Sequence, residues 1–315
     1  MKKVLSMAAL AVSVALGGST AFAASHSESE INITVVSHGQ ANDAFWSVVK
    51  NGVEAAGKDM GVNVDYRSPE TFNMVAMSSL IDAAVNQEPD GLVVSIPDGD
   101  ALATAIQKAV AAGIPVVSMN SGSSVSAKLG ALLHVGQEEF DAGKKAGAKL
   151  KELGGTKALC VNHEVGNVSL DQRCAGFAEG FGASEVLPTT NDPGDIKSKL
   201  KAAMSKDEDV DTVLTLGAST AGEPALAAIE EMGQTGDIKI GTFDMSANFL
   251  QAVADGKAAF CIDQQQYLQG YLPVSFLALH ARFGLMPGGD VASGPNLITK
   301  DKAAQVVELA AKGIR

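Results

Sequence analysis

From Ile31 onward the chain alternates short β-branched apolar runs with longer segments in which apolar positions recur every three or four residues. The runs INITVVS, VNVDYRS, DGLVVSI and IPVVSMN read as strands, and the intervening patterns predict helices at about 44–60, 71–87 and 99–112. A second series repeats the scheme: ALLHVG, KALCVNH, SEVLPTT, VDTVLTLG, IKIGTFD and AAFCIDQ, interleaved with helical stretches such as SKLKAAMSKD and GEPALAAIEEMG. Repeated strand–helix–strand units build parallel sheets covered by helices on both faces. The strands are too many for one small sheet, so two α/β lobes are predicted. No Pro-rich or Gly/Ser-rich stretch separates them, so they are joined by ordinary structure and not by a flexible tether.

The amino terminus breaks this pattern. Two lysines, a short apolar run and the small-x-small ending Ala21-Phe22-Ala23 read as an export signal over 1–23, cleaved after Ala23. Gly17, Gly18, Ser19 and Thr20 interrupt the run, which is short for a membrane span. No cysteine stands near the cleavage point to carry a lipid. The expected compartment is therefore the periplasm, with a soluble mature chain.

Charge then narrows the partners. The formal net charge of −12 becomes −14 once Lys2 and Lys3 are removed with the leader, and no basic cluster offsets it. Such a surface repels phosphate backbones, so no nucleic-acid partner is expected. Three cysteines, Cys160, Cys174 and Cys261, allow one disulfide and one buried thiol in an oxidising compartment, or three inert buried thiols. Cys160 and Cys174 are the preferred pair, the first ending a predicted strand and the second opening the helix after it.

Ligands of open α/β sheets bind beyond the carboxyl ends of the strands, so the segments there hold the candidate chemistry. After the first strand, Asn42 and Asp43 can cap a helix whose first turn carries Phe45 and Trp46, the latter the chain's one tryptophan. Such a ring pair can cover the C–H face of a sugar, or one ring can be core. Asp98, after the third strand, either accepts from ligand hydroxyls or caps a helix. Asn120 and Ser121 follow the fourth strand as neutral donors and acceptors, or as a polar turn. In the second series, Arg173 in DQRCAGF offers a fork of donors, the dull alternative being a surface pair with Glu179 or Asp171. Asp244 ends the GTFD strand and Gln264 follows the CID strand. Together these residues describe a pocket for a neutral, hydroxyl-rich molecule.

Catalytic and cofactor signals are missing. LGASTAGE fails as a G-x-S-x-G elbow because Ala221 stands at the second glycine, and neither phosphate-binding nor dinucleotide-binding glycine motifs occur where they are needed. Cys160, His163 and Glu164 are close in sequence without a second ligand pair, so neither a metal nor a cofactor is expected.

In order, AFWSVVKNG, DGLVVSIPDGDA, AAGIPVVSMN, HVGQEEFDAGKKAG, DQRCAGF, VDTVLTLG, IKIGTFD and AAFCIDQQQYLQG resemble the periplasmic sugar-binding proteins of ABC import systems, the ribose-binding-like group. The resemblance implies two Rossmann-like lobes joined by three crossovers, with residues 31–133 and 265–293 in the first lobe and 134–264 and 294–315 in the second. It also implies ligand contacts from Asn42 or Asp43, Phe45, Trp46, Arg173, Asp244 and Gln264. Ribose binders carry Asp-Arg where this chain has Asn120-Ser121, and Asn where it has Gly217, which points to a different and bulkier sugar or polyol. On this reading a monomeric binder closes on its ligand and delivers it to a membrane permease, without catalysis. A furanone signal or nucleoside as ligand, a chemotaxis role, a repressor effector domain and an exported enzyme are the competing readings. The export signal occupies the place a repressor's DNA-binding helices would need.

Overall fold

The computed structural model describes residues 30–39 and 43–315. The expected export signal and Asn42 lie outside the described residues.

The first half of the chain runs β1 (Asn32–Val36), α1 (Ala44–Met60), β2 (Asn63–Arg67), α2 (Met74–Val85), β3 (Gly91–Ser95), α3 (Gly99–Ala111), β4 (Val116–Asn120), the short α4 (Ser123–Ser126) and β5 (His134–Gly136). The second runs α5 (Glu139–Glu152), β6 (Ala158–Asn162), α6 (Val168–Phe181), β7 (Ser184–Pro188), α7 (Pro193–Lys206), β8 (Thr212–Thr215), α8 (Glu223–Glu231), β9 (Lys239–Phe243), α9 (Ala247–Asp255) and β10 (Phe260–Asp263). The chain ends with α10 (Gln266–Phe283), β11 (Val291–Ala292), β12 (Asn296–Thr299) and α11 (Lys300–Ala311).

Two six-stranded sheets result, in the orders β11-β5-β4-β3-β1-β2 and β12-β10-β9-β8-β6-β7. All neighbours are parallel except β12 against β10. The strand reading of the sequence survives in all ten runs, because β3, β4 and β6 are buried along their whole length and demand continuous apolar residues. The two short strands β11 and β12 carry no such run and were not foreseen.

The chain passes between the sheets three times: after β5, after β10, and between β11 and β12. The expected boundary placed His134–Gly136 at the head of the second lobe, whereas β5 pairs with β4 and β11 inside the first sheet. The first crossing therefore follows Gly136. Each sheet is sandwiched between two apolar clusters, Val35, Val93 and Val117 facing one side of the first and Val36, Val94 and Val116 the other. Cys160 on β6 and Cys174 on α6 are bonded, with Cα atoms 5.8 Å apart, and Cys261 is a buried free thiol. Both bonded cysteines sit in the middle of their elements, not at the ends the sequence pattern gave them.

Candidate functional site

The strand order reverses between β1 and β3 in one sheet and between β6 and β8 in the other. The loops leaving these switch points face each other and line a cavity with about 460 Å³ of non-atom space, open solvent included. The cleft is closed: Val168 N–H on the second lobe donates to Pro97 O on the first at 3.0 Å, and His38 Nε2 lies 3.9 Å from Glu164 Oε2.

The first lobe's wall begins with the loop after β1. Asp43 caps α1, its Oδ1 accepting from Phe45 N–H at 2.9 Å, which brings both rings of the first turn to the cavity. Trp46 packs edge-on to His38 and Phe45, with centroids 4.7 and 5.2 Å away. It also lies flat against the loop backbone, where a Cβ on Gly39 would fall 1.9 Å from its Cγ. The sequence offered a choice between ring wall and core. Phe45 and Trp46 are both, because each belongs to the core cluster on α1 and also lines the cavity.

Asn120, at the end of β4, has a left-handed backbone (φ 62°), as does Asp244 after β9 (φ 65°). Asn and Asp tolerate this conformation better than other residues with a Cβ, and it turns each side chain off the strand axis into the cleft. Asn120 Nδ2 donates to Gln269 Oε1 at 3.1 Å and to Gln264 Oε1 at 3.3 Å, and Gln264 Nε2 donates to Asp244 Oδ1. A chain of amides thus links both lobes through the second crossing.

The second lobe contributes ions. Arg173 on α6 is buried, and its Nε and Nη2 donate to Glu139 at 2.6 and 3.0 Å while Nη1 donates to Leu216 O at 3.2 Å. Its guanidinium sits over the Phe243 ring, 4.5 Å from the centroid. The surface-pair alternative fails, since Glu179 pairs with Lys144 and Asp171 accepts from Asn162, while Arg173 lines the cavity with most of its donors already committed. Close packing of α5 on α6 makes the Glu139 pair possible. A Cβ on Gly143 would lie 2.1 Å from Arg173 O, and one on Gly176 1.9 Å from Phe140 O, so only glycine permits the approach. The Glu139 pair was missed, yet Glu139 shares a stripe with Ala142, Ala146 and Leu150, and a carboxylate on an apolar face is a readable signal.

His38 and His163 were also passed over, although each follows the first strand of its sheet in the matched strings VSH and VNH. The His163 ring occupies space over Gly217, where a Cβ would meet its Cε1 at 3.0 Å, and its Nδ1 has no hydrogen-bond partner. Burial, and then the Arg173 charge, push both imidazoles down to about 3, so they are neutral at physiological pH. Burial raises Asp244 to about 7 against the pull of Arg173, raises Asp43 to about 6, and raises Glu164. After β8, a π-helical turn over Ala218–Gly222 lays Ser219 and Thr220 against the cavity.

Two expected site residues stand back from the lining. Asp98 caps α3, accepting from Ala101 N–H at 2.9 Å. Ser121 is buried behind Asn120, donating to its Oδ1 at 3.0 Å. Asp43, Phe45, Trp46, Asn120, Arg173, Asp244 and Gln264 all line the cavity.

Two parallel-sheet lobes with three crossings and a polar cavity closed between them define a solute-binding architecture. The family model for the periplasmic binding protein domain matches residues 33–284, and the chain belongs to that family. Among solved structures it is similar to a carbohydrate transporter from Acidothermus cellulolyticus 11B in complex with myo-inositol, with 34% identity and a TM-score of 0.87 over 91% of this chain and 100% of that one. It is 25% identical to the xylose/arabinose-binding protein of Sulfolobus acidocaldarius over 79% of this chain and 65% of that protein, so the match spans just under two thirds of the relative's length. It is also 25% identical to the ribose import binding protein of Bacillus subtilis, over 73% of this chain and 75% of the relative.

Proposed function

We propose that this protein captures a neutral, polyhydroxylated ring, a monosaccharide or cyclitol, by closing two lobes around it outside the cytoplasm, and presents the closed form to the permease of an ABC importer. The observation that carries this reading is the enclosed cavity whose walls combine the Phe45 and Trp46 rings with acidic and amide acceptors from both lobes. Rings cover C–H faces, and carboxylate and amide groups bond hydroxyl edges. The relative solved with myo-inositol supports including cyclitols beside pentoses and hexoses. A ligand touching both lobes stabilises the closed state alone, which converts binding into a shape that a permease can recognise.

Thermal and urea unfolding of the mature protein against pentoses, hexoses, sugar alcohols and inositols tests this. A ligand at about 100 times its dissociation constant adds roughly 2.7 kcal/mol to stability. The expected result is stabilisation by one or a few related polyols, recovered chemically unchanged by mass spectrometry. A flat panel on ligand-free protein, or turnover of the bound compound, would reject the proposal.

A further inference from the structure

The cavity is unevenly supplied with charge. Arg173 is the one cation lining it among the described residues, and three of its N–H groups are already committed to Glu139 and Leu216 O. Its charge is matched by Glu139 behind the wall. Asp43, from the first lobe, and Glu164 and Asp244, from the second, then face the interior with no countercharge of their own. Asp43 accepts from Phe45 and Asp244 from Gln264, while Glu164 accepts from Asn167 and Asn191, and a carboxylate has capacity for more.

The remaining wall is neutral and mixed, with Trp46, Asn167, Ser219 and Thr220 able to donate. His163, neutral and with its Nδ1 unpartnered, is 8% exposed and lines the cavity, where in one tautomer that nitrogen accepts. Three carboxyl groups drawn from both lobes and an unpartnered imidazole nitrogen thus converge on one cavity. A hydroxyl brings one proton to such a site, whereas an ammonium brings three and a full positive charge. An anionic substituent brings acceptors and repulsion into a place that has both already.

We infer that the site, on the polyol reading above, prefers a cationic polyol, an amino sugar or aminocyclitol, to its neutral parent and excludes the anionic counterpart.

The test is titration calorimetry at pH 7 with two matched series: myo-inositol, a monoamino-monodeoxy-inositol and inositol 1-phosphate; and D-galactose, D-galactosamine and D-galacturonate. In whichever series the neutral parent binds, the amine is expected to bind at least threefold tighter and the anion at least tenfold weaker. Asp244→Asn is expected to reduce the amine's advantage at least threefold, and Asp43→Asn, which keeps a capping side chain on α1, provides a second reading should the first variant fail to fold. An amine advantage below threefold, an anion weaker by less than tenfold, or an advantage that persists in both Asn variants overturns the inference while leaving the polyol reading intact. Failure of both neutral parents and both amines overturns the two together.

Discussion

The two lobes repeat one backbone plan and fill it with different chemistry. β2-β1-β3-β4-β5 in the first sheet and β7-β6-β8-β9-β10 in the second have the same order, and matched strand ends carry matched features. His38 answers His163 after the first strand, and Asn120 answers Asp244, both left-handed, after the strand that precedes the last of each series. The helices that follow the first strands diverge. α1 delivers two rings to the cleft, where α6 delivers a buried arginine. The first lobe therefore supplies both aromatic rings, and the second supplies most of the charge along with Leu170, Leu216 and Met245. A ligand held between unlike walls has a defined orientation, which two copies of either wall would not give.

The largest expected effect comes from breaking the charged wall. Arg173→Ala leaves the Glu139 carboxylate buried and unpaired, and loss of one partner of a buried pair costs about 3–5 kcal/mol. Urea unfolding should show that loss, and ligand affinity should fall by two orders of magnitude or more. Adding Glu139→Gln to Arg173→Ala separates the two roles. Stability should largely return because the orphaned charge is gone, and binding should not.

Breaking the shaped wall comes next. Trp46→Ala removes a ring that touches His38, Phe45 and the Gly39 backbone, so it should cost about 3 kcal/mol of stability without ligand as well as most of the affinity. Trp46→Phe should recover much of the first and less of the second. A ligand-free melting temperature unchanged in Trp46→Ala would show that the ring is a cleft surface alone.

A pH titration sharpens the contrast without changing a residue. The histidines are held near 3, so they favour the folded state fully above about 6.5 and withdraw that support as pH falls toward 3. The carboxyls act with the opposite sign. Asp244, raised to about 7, and Asp43, raised to about 6, stabilise the empty fold most below about 3.8, and that contribution is lost as pH rises through their folded values. Hydroxyl donors bond the ionised forms, so affinity for a neutral polyol should fall on acidification from pH 8 through about 7 and then about 6. Asp244→Asn should flatten the upper part of that profile. Calorimetry at several pH values checks both.

Much of this arrangement was legible in the sequence. Strand runs were legible because a parallel sheet buried on both faces tolerates little but β-branched and apolar residues. Asp43, Phe45, Trp46, Asn120, Arg173, Asp244 and Gln264 stood out because a polar or aromatic residue directly beyond such a run has few structural reasons to be there. Glu139, His163, Glu164 and Asn167 were obscured for a different reason. The Glu139 role depends on α5 packing against α6, whereas Glu164 and Asn167 bond each other in the loop before α6, outside the strand ends that carry the other candidates. Glu139 lies 34 positions from Arg173, so its place on an apolar helix face signals a buried carboxylate without naming its partner.

Asp98 sets the lower limit of the comparison. It follows β3 at the switch point, where a ligand contact was reasonable, and its neighbour Pro97 does reach across to Val168. Its own side chain turns the other way and accepts from Ala101 N–H at the start of α3. Asp98→Ala should therefore cost about 1 kcal/mol, the ordinary value of an N-cap, with ligand affinity unchanged at any pH. Asp98→Asn, which keeps the capping oxygen, should restore that stability. Loss of affinity in both variants would put a carboxylate at this position into the ligand's reach, and the first lobe would then share the charged role that the structure gives chiefly to the second.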